Sequence, residues 1–455
     1  MNAKELVYEK KTVYEKAGEA VVKAAFDYAD GYKRYLDAAK TEREAVKVSI
    51  AMLEEKGFRS YELGDAIKAG DRLYYNNRGK NLFAFTVGTK PINEGIRIAV
   101  AHVDAPRIDL KQRPLYEDGG MGFFKTHYYG GIRKYQWVAT PLALHGVIAT
   151  ADGRVIDVCV GENDADPVFY INDLLPHLGQ DQSKLPLSEG IKGEQLNILV
   201  GSQPYGEDNS IKLNVLRLLN EKYGVTEEDL LSAELCAVPA AKARDIGFDR
   251  ALIGAYGHDD RVCAYPILTA LAESLDTENT VMCILADKEE TGSDGPSGMQ
   301  SDLMLDMINE IASSLGGNPA VVRAHSKCLS ADVSAAFDPN FSEVFEKNNT
   351  PLLSCGAVFT KFTGSRGKSG TNDASAEFIG WLRGVLAKDG VVWQAGELGK
   401  VDVGGGGTVA KYVSKHNIDT IDLGVPVISM HAPYEVISKV DIYETHRALK
   451  AFFRY

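Results

Sequence analysis

The chain has 455 residues, 45% hydrophobic and 25% charged, with 50 basic residues against 63 acidic ones for a net charge of −13. That length exceeds one ordinary hydrophobic core, so two domains are expected, while the acidic balance and the lack of a basic run exclude nucleic acid as a partner. No apolar run approaches the roughly 18 residues of a membrane span, and the charged opening stretch MNAKELVYEKKTVYEK lacks the apolar segment of a secretory leader, which predicts a cytoplasmic protein that meets no membrane.

In chain order, residues 1–56 read as helix, with apolar positions at i, i+3 and i+4 and no proline. Leu73–Tyr75 and Leu82–Val87 read as a hairpin around NNRGKN, and Ile96–Ala101 as a strand buried on both faces. Residues 106–245, rich in Gly, Pro, Tyr and short alternating stretches, predict antiparallel strands and turns. From about residue 246 buried strands alternate with helices. Val262–Leu275, Ser301–Leu315 and Asp373–Lys388 read as helices, and Val281–Ala286, Lys327–Ala331, Val391–Gln394 and Thr420–Leu423 as strands. A GGGG turn and a helix precede the last of these strands, and a final helix follows it. The alternation predicts an α/β fold, a mostly parallel central sheet flanked by helices. The catalytic domain would be discontinuous, residues 1–105 and 246–455, interrupted by a β-rich domain at 106–245. Cys159, Cys236, Cys263, Cys283, Cys328 and Cys355 form no CxxC pair, so any metal must be held by nitrogen and oxygen.

Five segments present metal-competent side chains at the edge of an apolar run: IAVAHVDAPR with His102 and Asp104, AYGHDDRVCAYPIL with His258, Asp259 and Asp260, CILADKEETGS with Asp287, Glu289 and Glu290, KCLSADVSAAFD with Asp332, and VISMHAPYE with His431. Alone, each has a plainer reading. A His after a strand is often structural, an Asp before a helix is often an N-cap, and a Glu pair is usually a solvated face. Together they predict one crevice, because functional groups of an open α/β sheet collect at the carboxyl ends of its strands. On an extended chain His102 and Asp104 share a face, so Asp104 is expected to accept the imidazole N–H of His102. Glu289 and Glu290 point to different sides, leaving one to bind metal and the other to act as a base. Such a set suits two divalent ions, Zn²⁺, Mn²⁺ or Co²⁺, joined by a bridging carboxylate and activating a water.

These motifs, in this order and over essentially the whole chain, resemble the aspartyl aminopeptidase family of two-zinc exopeptidases. The resemblance implies that Asp260 bridges the metals, with His102 and Asp332 completing one site and Glu290 and His431 the other. It implies Glu289 as the general base. The family's bridging Asp is usually followed by Asn, whereas this chain has Asp259-Asp260-Arg261, so Asp259 stays open as the bridge. The resemblance also implies selectivity for acidic N-terminal residues through Lys361, although the surrounding KFTGSRGKSGTND departs from the family's stretch. It further implies that residues 106–245 form a dimerisation domain, that dimers assemble into a tetrahedral dodecamer, and that His177 reaches a neighbouring subunit's active site. Two rival readings are a two-metal carboxypeptidase or amide deacylase on a similar catalytic fold, and a non-enzymatic shell-forming protein with a structural metal site. The surplus of carboxylates (Asp259, Asp287, Asp294) favours recognition of a free α-amine over the first, and an unligated Glu289 argues against the second.

Overall fold

The structure is a computed structural model that describes residues 6–455; the helical expectation for residues 1–5 lies outside the described residues. The N-terminal region is broken where its caps fall. Helices span Val13–Lys16, Glu19–Ala38 and Glu42–Glu54. The Thr12 and Thr41 hydroxyls accept the backbone N–H groups of Glu15 and Glu44, whose carboxylates accept the backbone N–H groups of Thr12 and Thr41 in return, closing two capping boxes.

By contact the chain divides into two compact units. One comprises the chain up to Asp104, Ala243–Met430 and Glu435–Tyr455; the other comprises Ala105–Lys242 and His431–Tyr434.

Among the described residues, the first unit is built on a nine-stranded sheet. Arg72–Asn77 and Asn81–Thr86 form the expected hairpin, with Asn77 opposite Asn81. Asn81–Thr86 then pairs antiparallel with Thr280–Ala286. The centre is parallel: Thr280–Ala286, Ile96–His102, Lys327–Ser330 and Asp419–Gly424 lie side by side in that order. Ala357–Thr360, a strand the sequence reading passed over, adds antiparallel to Asp419–Gly424. Thr280–Ala286 and Ile96–His102 are buried at every residue, as a parallel strand covered on both faces requires.

The period of two sorts their side chains. Ala99, Ala101, Cys283 and Leu285 share a core with helices His258–Glu273 and Lys439–Arg454, while Ile98, Val100, Met282 and Ile284 share one with helix Leu303–Ser314. A smaller five-stranded sheet, which includes Leu252–Ala255 and Glu435–Ser438, completes this unit.

In the second unit, Ala233–Pro239 pairs with Arg107–Asp118 on one side and with Pro141–Ala149 on the other. Met121–Tyr129, Ile198–Gly201 and Phe169–Ile171 complete the circuit, so six strands close a ring, with Val155–Val160 appended outside it. Helix Ile211–Tyr223, which the β-rich reading did not anticipate, starts at Ser210 and stops at Gly224 in a left-handed conformation.

Candidate metal centre

The central parallel register carries the site. Ala286 is the Cα partner of His102, and Ser330 that of Val100. The residues that follow therefore emerge together at the carboxyl ends: His102 itself, the Asp287–Glu290 segment, and Asp332. The turn that opens helix His258–Glu273 brings Asp259 to the same place. Gly257 there has φ +75°, and Asp259 and Asp260 depart from helical geometry, with a cis peptide between them.

His102 Nε2 lies 3.1 Å from Asp259 Oδ1 and 4.0 Å from Asp332 Oδ1, and the ligand-capable atoms of the three residues lie within 4.8 Å of one another. Of the two aspartates left open by the sequence, Asp259 is thus the one that joins His102 and Asp332. Asp260 is fully buried, and neither of its carboxylate oxygens makes a hydrogen bond of normal geometry.

His102 Nδ1 is 2.9 Å from the main-chain carbonyl of Asp104 and can only donate there. In the neutral ring Nε2 then carries a lone pair aimed at a carboxylate oxygen, an arrangement that requires a proton or a cation between the two. Burial works against a charged His102, yet its bonds to Asp104 and Asp259 hold its pKa well above the usual value. Burial, reinforced by neighbouring acids, pushes the Asp260 and Asp332 carboxyls well above theirs. Asp259, Asp260 and Asp332 gathered at one imidazole, with Glu289 acting on Asp332, carry more acid than one imidazolium can balance, and the oxygen and nitrogen donors fit Zn²⁺, Mn²⁺ or Co²⁺.

Asp104 plays a different part from the one its spacing implied. The strand ends at His102, so the alternation of faces stops there. The Asp104 carboxylate stands 3.4 Å from His102 Nδ1, and the Asp104 carbonyl takes the imidazole proton instead. Asp104 Oδ1 and Oδ2 accept the backbone N–H groups of Glu289 and Glu290, each at 3.2 Å. One fully buried carboxylate thereby fixes the segment carrying both glutamates. Asp259 is braced likewise, its N–H donating to buried Glu435 at 3.1 Å. His258, buried beside it, bonds to Tyr32 at 2.8 Å and to the Ile253 carbonyl at 3.1 Å.

His431 belongs to the short segment that groups with the second unit. It has φ +64°, and its Nδ1 donates to the Gly131 carbonyl at 2.7 Å, leaving Nε2 with a lone pair. His177 is exposed in the second unit. Lys361 is ion-paired with Asp373, which Lys368 also approaches at 2.9 Å. The sequence reading missed Asp422, Cα partner of Ser330 on the next strand and 4% exposed. It sits inside the run TIDLGVPV rather than at its edge, so the end-of-run signal that marked the others was lacking.

A family model described as aminopeptidase I zinc metalloprotease (M18) matches residues 35–453. A probable M18 family aminopeptidase 1 of Clostridium acetobutylicum is 48% identical over 459 aligned positions, covering 98% of this chain and 99% of the relative. The crystal structure of an M18 aminopeptidase from Thermotoga maritima superposes with a TM-score of 0.93 at 41% identity, over 98% of this chain and 100% of that one. A more distant yeast structure, described as the mApe1 dodecamer, has a TM-score of 0.77 at 21% identity and covers 94% of this chain and 96% of its own; at that distance the likeness is one of fold. The mixed sheet with flanking helices is accordingly a zinc exopeptidase fold.

Gly424 ends the strand beside Asp332, and a Cβ there would lie 1.8 Å from the Asp332 carbonyl oxygen. Gly424→Ala should therefore displace Asp332, cost about 1–3 kcal/mol of stability and lower zinc content. Elemental analysis after desalting measures this, and a variant with the wild-type zinc content and melting temperature would contradict it.

Proposed function

The chain belongs to the M18 family of zinc aminopeptidases, and from that premise we propose how its own residues release the N-terminal residue of a peptide. As a family member it is a hydrolase and a zinc metalloprotease. We assign two divalent ions per subunit, zinc with Mn²⁺ or Co²⁺ as substitutes, to His102, Asp259, Glu290, Asp332 and His431. Asp259 takes the bridging place that the sequence reading gave to Asp260. The observation that carries this reading is the His102 Nε2 lone pair facing Asp259 Oδ1 at 3.1 Å beside Asp332.

Zinc, when bound, supplies a Lewis acid that makes water nucleophilic near neutral pH. Glu289 is the base: it takes a proton from that water and delivers it to the leaving amine. The amides of Glu289 and Glu290 held by Asp104 keep this carboxylate and its ligand neighbour in fixed relation. The carboxypeptidase, deacylase and shell-protein readings gain no comparable support, since the family matched is one of aminopeptidases.

For selectivity we retain acidic N-terminal residues. Two ammonium groups, Lys361 and Lys368, share the single carboxylate of Asp373, so this loop has positive charge to spare for a substrate carboxylate. For assembly we retain the dimer-built tetrahedral dodecamer, with residues 106–245 as the dimerising part. Support comes from the dodecameric yeast protein of like fold and from the surroundings of His177, where Leu174, Leu175 and Leu178 are 53%, 50% and 71% exposed. Apolar residues clustered at the surface call for cover. There His177 would donate a hydrogen bond to the oxyanion in a neighbouring subunit's site.

Three outcomes are expected. Chelation should abolish hydrolysis of aminoacyl chromogenic substrates and re-addition of zinc should restore it, while Glu289→Gln keeps its metal and loses roughly 10²–10⁴-fold in kcat and Glu290→Gln loses metal; full activity in protein shown to be metal-free would end the mechanism. Lys361→Glu should lower kcat/KM for aspartyl substrates more than for leucyl ones, and equal losses would make Lys361 a structural loop residue. Finally, mixing inactive His177→Ala with inactive Glu289→Gln under subunit exchange should recover part of the activity. Verified exchange without recovery, or a fully active monomer by light scattering, would refute a shared site.

A further inference from the structure

Asp422 is a buried acid at the carboxyl end of the sheet to which the mechanism above gives no task. It lies between Ser330 on one neighbouring strand and Thr360 on the other, as Cα partner of both. Thr360 is the last residue before the loop that carries Lys361. Asp422 Oδ1 accepts the Thr408 hydroxyl at 2.7 Å in a buried contact. Its other oxygen, Oδ2, is buried without a hydrogen bond.

Thr408 closes the run Gly404–Thr408, and that run lies directly against the Lys361 loop. The Gly406 N–H donates to the Thr363 carbonyl at 3.0 Å. Gly405, at φ +103°, passes so close that a Cβ would stand 2.6 Å from the Gly364 carbonyl oxygen. Within the partner loop the Thr363 N–H donates to the Thr371 hydroxyl at 2.9 Å. Asn372 donates to the carbonyl of Thr420, on the strand of Asp422 itself. The four glycines noted in the sequence thus have a physical reason: they allow two backbones to lie in contact. The doublet they form is tied back to the sheet at two points, Asn372 on Thr420 and Thr408 on Asp422.

We propose that Asp422 is a positioning residue for substrate: by holding Thr408 it fixes the paired loops Gly404–Thr408 and Thr363–Thr371 as the wall that receives the side chain of the substrate's N-terminal residue. The proposal rests on the reading above that the Lys361 loop meets substrate. Burial pushes the Asp422 carboxyl up to about 7, with Glu289 raising it and Thr408 and Ser330 lowering it; Cys328 is the other titratable group whose field it shares. In its protonated, neutral form the side chain still accepts from the Thr408 hydroxyl. An asparagine copies that form and still offers Thr408 an acceptor.

The test compares Asp422→Ala, Thr408→Val and Asp422→Asn at pH 6 on aspartyl and leucyl substrates. Zinc content is measured alongside, as is hydrogen exchange of residues 363–371 in the chelated proteins. Asp422→Ala and Thr408→Val should raise KM roughly tenfold, the size of one lost buried hydrogen bond. They should also leave kcat within about threefold, alter the ratio of the two substrates, and speed exchange of residues 363–371. Asp422→Asn should return KM to within about twofold of wild type. An unchanged KM and exchange in the first two variants, equal damage in all three, or a loss confined to kcat would each overturn the proposal. A wild-type enzyme that hydrolyses neither substrate would instead defeat the functional reading, and the exchange measurement would still decide whether Asp422 anchors the loops.

Discussion

Everything at the centre of this molecule follows from gathering acids where water is scarce. Asp332, Glu289 and Asp422 stand at or near the carboxyl ends of strands of the central sheet, with Asp259 and Asp260 brought in by the turn that opens a helix, and burial pushes Asp260, Asp332 and Asp422 towards the neutral form. Left alone, such a cluster protonates; with divalent cations it becomes a reservoir of ligands. Backbone amides as well as the His102 imidazole hold this cluster against the repulsion. Asp104 accepts two amides from the glutamate segment, and Glu435 accepts the amide of Asp259. Charge-assisted bonds of this sort are worth about 1.5–3 kcal/mol each.

Much of this was legible from residues alone, because a parallel strand buried on both faces leaves a nearly unbroken apolar run, and the residue that ends it marks the functional edge. Ile96–Ala101 and Val281–Ala286 are read that way, and the strands run Ile96–His102 and Thr280–Ala286. What escaped has specific physical causes. Spacing could not choose between Asp259 and Asp260, because the chain turns out of helical geometry at both and sends neighbouring carboxylates in different directions. The i, i+2 rule named the right acceptor residue for His102 but could not name the atom, because the extended chain ends at His102 and the Asp104 carbonyl comes nearer than its carboxylate. Asp422 went unnoticed because it lies inside its strand, with the apolar run continuing past it, whereas the others were marked by residues that end such a run.

In the inserted segment, composition taken over a long window hid a local signal. Ser210 and Gly224 delimit the helix Ile211–Tyr223 as clearly as any cap in the chain. The closure of the strand ring is different in kind. Ala233–Pro239 finds Arg107–Asp118 across more than a hundred intervening residues, and no local pattern records that choice.

That closure bears on how the chain is assembled during synthesis. The strand ending at His102 can pair with Thr280–Ala286 only after the segment Ala105–Lys242 has left the ribosome, a long and entropically costly wait for a parallel sheet. A ring complete by Pro239 brings the two ends of the excursion together, since its first and last strands are hydrogen-bonded neighbours. The distance in chain that the catalytic sheet must span is then shortened to the few tens of residues left between Pro239 and Thr280. On the logarithmic scale of loop closure this recovers on the order of 1 kcal/mol. The inserted segment thereby works as a clasp, turning a long excursion of chain into a short one for the sheet that flanks it.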